Sequence, residues 1–294
     1  MPLRPLLMVV RPDQVGEAPP TTAAILTPRR SRIASHLLGK EPAMKPATQY
    51  DNARTLVLTG ASRGIGHATV KKFSAGGWRV ITVSRQPFSV LCPWPGGDKN
   101  HVQIDLAKPD DVGRGIEDIR ERLGGGRLDA LVNNAAISPK NEAGRRLGAI
   151  DTQFDLWQRV FNVNFFAPVA LARGLMTELA EARGCVVNVT SIAGSRVHPF
   201  AGSAYATSKA ALAALTREMA HDFGPRGIRV NAIAPGEIDT AILSPGTEQI
   251  VEEQIPMRRL GTPDEVADVI HFLCEKGASY VSGAEIQING GQHV

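Results

Sequence analysis

Cysteine is scarce in this 294-residue chain, and the little there is does not cluster. Cys92, Cys185 and Cys274 are odd in number and widely spaced, which argues against a disulfide framework or a zinc site and fits a reducing cytoplasm. The histidines never recur four residues apart, so no helix presents two imidazoles on one face, and no metal is expected in the chemistry. No uninterrupted apolar run approaches the ~18 residues of a membrane span, so the chain does not read as an integral membrane protein. An excess of positive charge is also missing from most of its length. Residues 1–53 hold seven Lys or Arg against four acids, three of the net +4, so the remainder has no basic face for nucleic acid.

Those first 53 residues are rich in Pro, Ala, Thr and Arg and lack a sustained period, so they read as a poorly ordered N-terminal extension. Their acids and scattered prolines count against a transit peptide, and Met44 offers an alternative start about ten residues before the first strand. From residue 54 onward, short β-branched runs alternate with helical patterns, the signature of βαβ units around a parallel sheet. Seven strands are expected: Thr55–Leu58, Val80–Val83, Val102–Ile104, Leu128–Val132, Cys185–Val189, Ile228–Ile233 and Glu285–Ile288. Helices are expected over Gly64–Ser74, Asp110–Leu123, Phe154–Ala182, Ser203–Phe223 and Pro263–Cys274. A single α/β domain, residues 54–294, accounts for all of them.

Chemistry enters at strand ends. The first strand runs into Thr59-Gly60-Ala61-Ser62-Arg63-Gly64-Ile65-Gly66 and then a helix. Glycines there let backbone approach a pyrophosphate, held by the free N–H groups and dipole of the helix N-terminus. The second strand ends at Ser84-Arg85, where folds that prefer NAD carry an acid for the ribose 2′-hydroxyl. With no acid there, Arg85 and Arg63 are expected to pair with a 2′-phosphate, favouring NADP(H) over NAD(H). Asp105, after the third strand, is a candidate acceptor for the adenine amino group, with Leu106 beside it. Tyr205 and Lys209 lie four apart on an expected helix, on one face, where an ammonium would stabilise a phenolate for proton transfer. Ser191 follows the fifth strand, where its hydroxyl would enter the cleft.

Taken together and in order, these residues resemble the short-chain dehydrogenase/reductase family over about residues 54–294. The resemblance rests on Thr59-Gly60-x-x-x-Gly64-Ile65-Gly66, Asn133-Asn134-Ala135, Asn164, Ser191, Tyr205-x-x-x-Lys209, Asn231, Pro235-Gly236 with Thr240, and the ending Tyr280-Val281-Ser282-Gly283 to Asn289-Gly290-Gly291. It implies a single doubly wound Rossmann-type domain, a seven-stranded parallel sheet with helices on both faces, and transfer of hydride between NADP(H) and a small carbonyl or alcohol. Within the family the chain is most similar to the group containing 3-oxoacyl-carrier-protein reductases and small-ketone, sugar and polyol dehydrogenases. The catalytic residues it implies are Asn164, Ser191, Tyr205 and Lys209. Tyr205 would be the general acid or base, Lys209 would lower its pKa and hold the nicotinamide ribose, Ser191 would bind the carbonyl, and Asn164 would place a relay water.

The cofactor would lie along Gly60, Ser62, Arg63, Gly64, Ile65, Gly66, Ser84, Arg85, Asp105, Leu106, Asn134, Ala135 and Ala136. The residues Tyr205, Lys209, Pro235, Gly236, Ile238 and Thr240 would hold its nicotinamide end. Ala136 stands where the family carries glycine, an extra methyl close to the cofactor path. Lys140, Arg145 and Arg146 fall near the substrate mouth and read as a solvated loop, although they would also attract an anion. The segment Ala241–Pro256 resembles a substrate lid. His198 and Phe200 are expected at the pocket, with no catalytic part for the histidine. A homotetramer or homodimer is implied. The competing class is a non-catalytic dinucleotide-binding redox sensor or scaffold, which has no use for the four catalytic residues together.

Overall fold

Every residue of the first strand, β1 (Thr55–Thr59), is buried, and its two-residue period sends Leu56 and Leu58 into one core and Val57 into another. A strand covered on both sides belongs to a sheet flanked by two helical layers. The computed structural model, which describes residues 53–88, 94, 96–240, 243–244 and 246–294, has that form. The expected extension over residues 1–53 lies outside the described residues but for Ala53, as does Cys92.

The remaining strands are β2 (Arg79–Ser84), β3 (His101–Gln103), β4 (Ala130–Asn133), β5 (Cys185–Val189), β6 (Arg229–Pro235) and β7 (Glu285–Ile288). All pairings are parallel, in the order β3-β2-β1-β4-β5-β6-β7. The seven expected strands and the doubly wound parallel architecture are therefore present. The chain builds outward from β1 to β2 and β3, then crosses back from β3 to β4 on the other side of β1, and this switch point opens a crevice at the carboxyl edge of the sheet.

The helices are α1 (Gly64–Ala75), α2 (Pro109–Leu123), α3 (Phe154–Phe161), α4 (Ala167–Gly174), α5 (Met176–Ala182), α6 (Ser203–Phe223), α7 (Thr247–Gln254) and α8 (Pro263–Cys274). Val70 and Phe73 of α1 meet Val266 and Ile270 of α8 over Leu56 and Leu58. On the other face Ile116 and Ile119 of α2, Leu171 of α4 and Phe223 of α6 cover Val57 and Leu131. Burial of each such side chain contributes roughly 1.5–3 kcal/mol.

The single helix expected over Phe154–Ala182 is three. A π-helical turn, Asn162–Phe166, separates α3 from α4, and Leu175 separates α4 from α5, where the axis bends by 62°. Pro168 explains the first break, since it lacks the N–H that an α-helix would aim at the Asn164 carbonyl. The helix α7 went unexpected inside the segment read as a lid; Ala241, Ile242 and Pro245 of that segment lie outside the described residues. No single helix among the described residues is long and apolar enough to cross a membrane.

Candidate active site

At the crevice, the loop between β1 and α1 is shaped by what its glycines exclude. A Cβ on Gly66 would stand 2.1 Å from the Gly60 carbonyl oxygen, and one on Gly60 would stand 2.8 Å from the Ala135 Cα. Gly60 and Gly64 also have positive φ, 72° and 54°. The loop is tied from behind. Asn134 donates from Nδ2 to the carbonyls of Thr59 and Gly60, both at 3.0 Å, while Thr59 Oγ1 accepts from the N–H groups of Asn134 and Ala135. No side chain caps the start of α1, so its first N–H groups remain available to an anion. Open N–H groups beside a close-packed glycine turn fit a dinucleotide pyrophosphate. Gly66→Ala should displace the loop and weaken dinucleotide binding at least tenfold, measured by titration, without unfolding the sheet.

A cleft of about 370 Å³ runs from this loop to the ends of β5 and β6. Ser191 enters it from the turn after β5, accepting from the Ala193 N–H at 3.2 Å, and lies near enough to Tyr205 to favour its phenolate. Tyr205 and Lys209 share one face of α6, as their spacing requires. Lys209 is 2 % exposed and donates from Nζ to the Val189 carbonyl at 2.6 Å. No carboxylate among the described residues pairs with it, and burial pushes its pKa down to about 7.

The expected depression of the Tyr205 pKa by Lys209 is not found. Removal from water pushes the phenol up, opposed by the Ser191 hydrogen bond and reinforced by the Glu237 carboxylate. The physical reason is that the Lys209 ammonium is turned to a backbone carbonyl and lies 5.7 Å from the centroid of the tyrosine ring.

Among the other expected residues, Gly60, Ser62, Arg63, Gly64, Ile65, Gly66, Asn134, Ala135, Ala136, Pro235, Gly236, Ile238 and Thr240 line the same cleft. The Ala136 methyl is exposed there rather than wedged against protein. Ser84, Arg85, Asp105, Leu106 and Asn164 do not line it. Ser84 donates to the Gln86 carbonyl, Asp105 accepts from the Ala107 N–H, and Leu106 packs into the core. Asn164 is buried in the π-turn, its side chain bonded to both backbone groups of Ile137 and to Ser208.

From the loop before α3, Lys140 alone of the three basic residues faces the cleft, where its ammonium bonds the Ser244 hydroxyl. His198 and Phe200 line the cleft as expected, and His198 Nε2 lies 2.6 Å from Glu237 Oε1. Glu237 was missed. Its signal was available in the sequence, an acid directly after Pro235-Gly236 at the carboxyl end of a strand.

The family model described as enoyl-(acyl carrier protein) reductase matches residues 60–293. The chain is 58 % identical over 261 residues to Protein FixR of Bradyrhizobium diazoefficiens, covering 88 % of this chain and 94 % of that one. It is 32 % identical over 249 residues to the 3-oxoacyl-[acyl-carrier-protein] reductase FabG of Aquifex aeolicus, covering 80 % and 95 %. This chain belongs to the short-chain dehydrogenase/reductase family. A solved short-chain dehydrogenase/reductase from Brucella ovis, in complex with partially ordered NAD, superposes with a TM-score of 0.72 at 64 % identity, over 81 % of this chain and 100 % of its own. Membership makes this protein an oxidoreductase by family, and the cleft described above occupies the carboxyl edge of its parallel sheet.

Proposed function

We propose that residues 54–294 form an NADP(H)-dependent carbonyl reductase or alcohol dehydrogenase with Tyr205 as general acid and base. The observation that carries this reading is one continuous cleft holding the glycine loop at one end and Ser191, Tyr205 and Lys209 together at the other. Bound dinucleotide supplies or accepts the hydride. In reduction, the Tyr205 hydroxyl gives its proton to the carbonyl oxygen as hydride reaches the carbonyl carbon; in oxidation it takes that proton back. Ser191 hydrogen-bonds the same oxygen and stabilises its developing charge. Lys209 orients the ribose hydroxyls beside Tyr205. Asn164 serves from behind: its side chain fixes the backbone at Ile137, and the π-turn before Pro168 frees the local backbone from strict α-helical bonding to hold a water.

For the cofactor, Arg63 and Arg85 are exposed near the glycine loop, and neither guanidinium has a hydrogen bond or ion pair among the described residues. No acid ends β2 to receive a 2′-hydroxyl. A 2′-phosphate complements both arginines. NADPH is therefore expected to bind at least tenfold more tightly than NADH, with Arg63→Ala and Arg85→Ala each removing most of that preference. The Brucella ovis relative holds NAD, so parallel titration with both cofactors is the deciding measurement. Equal or tighter NADH binding overturns the NADP(H) preference. Assembly as a homotetramer or homodimer is supported by the exposed apolar side chains Phe154, which opens α3, and Phe166, which closes the π-turn after it.

A further inference from the structure

The His198–Glu237 pair has no part in the proton transfer described above, yet it is buried at the same cleft. The two side chains are 9 % and 10 % exposed. They come from separate elements, the loop between β5 and α6 and the turn after β6, both at the carboxyl edge of the sheet. The Phe200 N–H donates to His198 Nδ1 at 3.2 Å, which assigns the ring proton to Nε2. The imidazole is then neutral and donates to Glu237 Oε1, so the pair keeps the full negative charge of the carboxylate.

Glu237 has no Lys or Arg partner among the described residues, and the Lys140 ammonium is bonded to Ser244 and lies 5.8 Å from the Phe200 ring centroid. The second carboxylate oxygen of Glu237 has no hydrogen-bond donor among the described residues, while Glu237 itself lines the cleft. Its charge is felt at the Tyr205 hydroxyl, which places it within electrostatic reach of the reacting oxygen. A carboxylate oxygen that faces the cleft without a protein donor is open to one carried by a bound molecule.

We propose that Glu237, oriented by His198, determines substrate specificity by accepting a hydrogen bond from an O–H or N–H donor carried next to the reacting carbonyl. This rests on the carbonyl–alcohol reading of the site. The preferred substrates are α-hydroxy or α-ammonium ketones and the corresponding alcohols, and anionic carbonyl compounds are repelled. A simple ketone leaves the carboxylate unpaired, and a site built around a substrate donor rejects analogues that lack it, here by on the order of 10²-fold.

The dinucleotide-loaded full chain is titrated with propanone, 1-hydroxypropan-2-one, 1-aminopropan-2-one and 3-oxobutanoate. Cofactor fluorescence reports binding, and turnover is followed separately. At least one donor-bearing ketone should bind ten to a hundred times more tightly than propanone, and 3-oxobutanoate should bind no better than propanone. Glu237→Leu should reduce the donor preference to within about twofold. Glu237→Gln, which keeps the shape and loses the charge, should abolish the ammonium preference and retain part of the hydroxyl one, which distinguishes the two donors. No saturable binding of either donor-bearing ketone, equal binding of propanone or 3-oxobutanoate, or a preference that survives Glu237→Leu overturns the proposal. Donor-selective binding without reduction would leave it standing and remove the reductase reading instead.

Discussion

Tyr205→Phe is expected to lower kcat for carbonyl reduction by roughly 10²–10⁴-fold while dinucleotide affinity stays within about threefold. The variant removes one oxygen from a side chain held on α6, so the cleft keeps its shape and loses its proton donor. The elevated pKa of the phenol fixes the sign of the pH dependence. Below that pKa the free protein holds Tyr205 protonated and ready to donate, so kcat/KM for reduction should be flat through neutral pH. Oxidation requires the phenolate, so its kcat/KM should climb about tenfold per pH unit over the same range. A Phe variant with wild-type turnover would remove Tyr205 from the chemistry.

Lys209→Met is expected to lower turnover by about 10²-fold and to raise thermal stability. Lys209 carries its charge into a site with one carbonyl partner, and burial moves its pKa from 10.5 to about 7. Between those two values the unfolded chain binds more protons than the folded one, so stability rises with pH across that window. The burial penalty is full below about pH 7 and absent above about 10.5. It corresponds to about 5 kcal/mol at neutral pH. If Met recovers half, Tm rises by roughly 5–10 °C at pH 7 or below, and the gain shrinks toward pH 10. Calorimetry at pH 6.5 and 9.5 checks both the size and the trend; a Met variant less stable at pH 6.5 would mean that the Val189 hydrogen bond outweighs desolvation.

The strand pattern was legible because each parallel strand is buried on both faces and reads as an unbroken β-branched run between turn signals. The glycine loop and the Tyr205–Lys209 face were legible because both depend on spacing alone. Three features were hidden for physical reasons. The break before α4 depends on one proline whose effect shows only once Asn164 is seen four residues behind it. The direction of the Tyr205 shift depends on where the Lys209 ammonium points, and a backbone carbonyl captured it. Glu237 and His198 are 39 residues apart in sequence and meet only because β5 and β6 are neighbours.

The switch point between β1 and β4 bears on how this molecule can change. The ties that hold the glycine loop, Thr59 to Asn134 and Asn134 to Gly60, join β1 to β4 and stop there. The groups that would judge the substrate, His198 and Glu237, ride on the connections after β5 and β6. Changes at His198 and Glu237 can recast the pocket without loosening the β1–β4 ties under the glycine loop, so new selectivities are accessible to this scaffold in single steps.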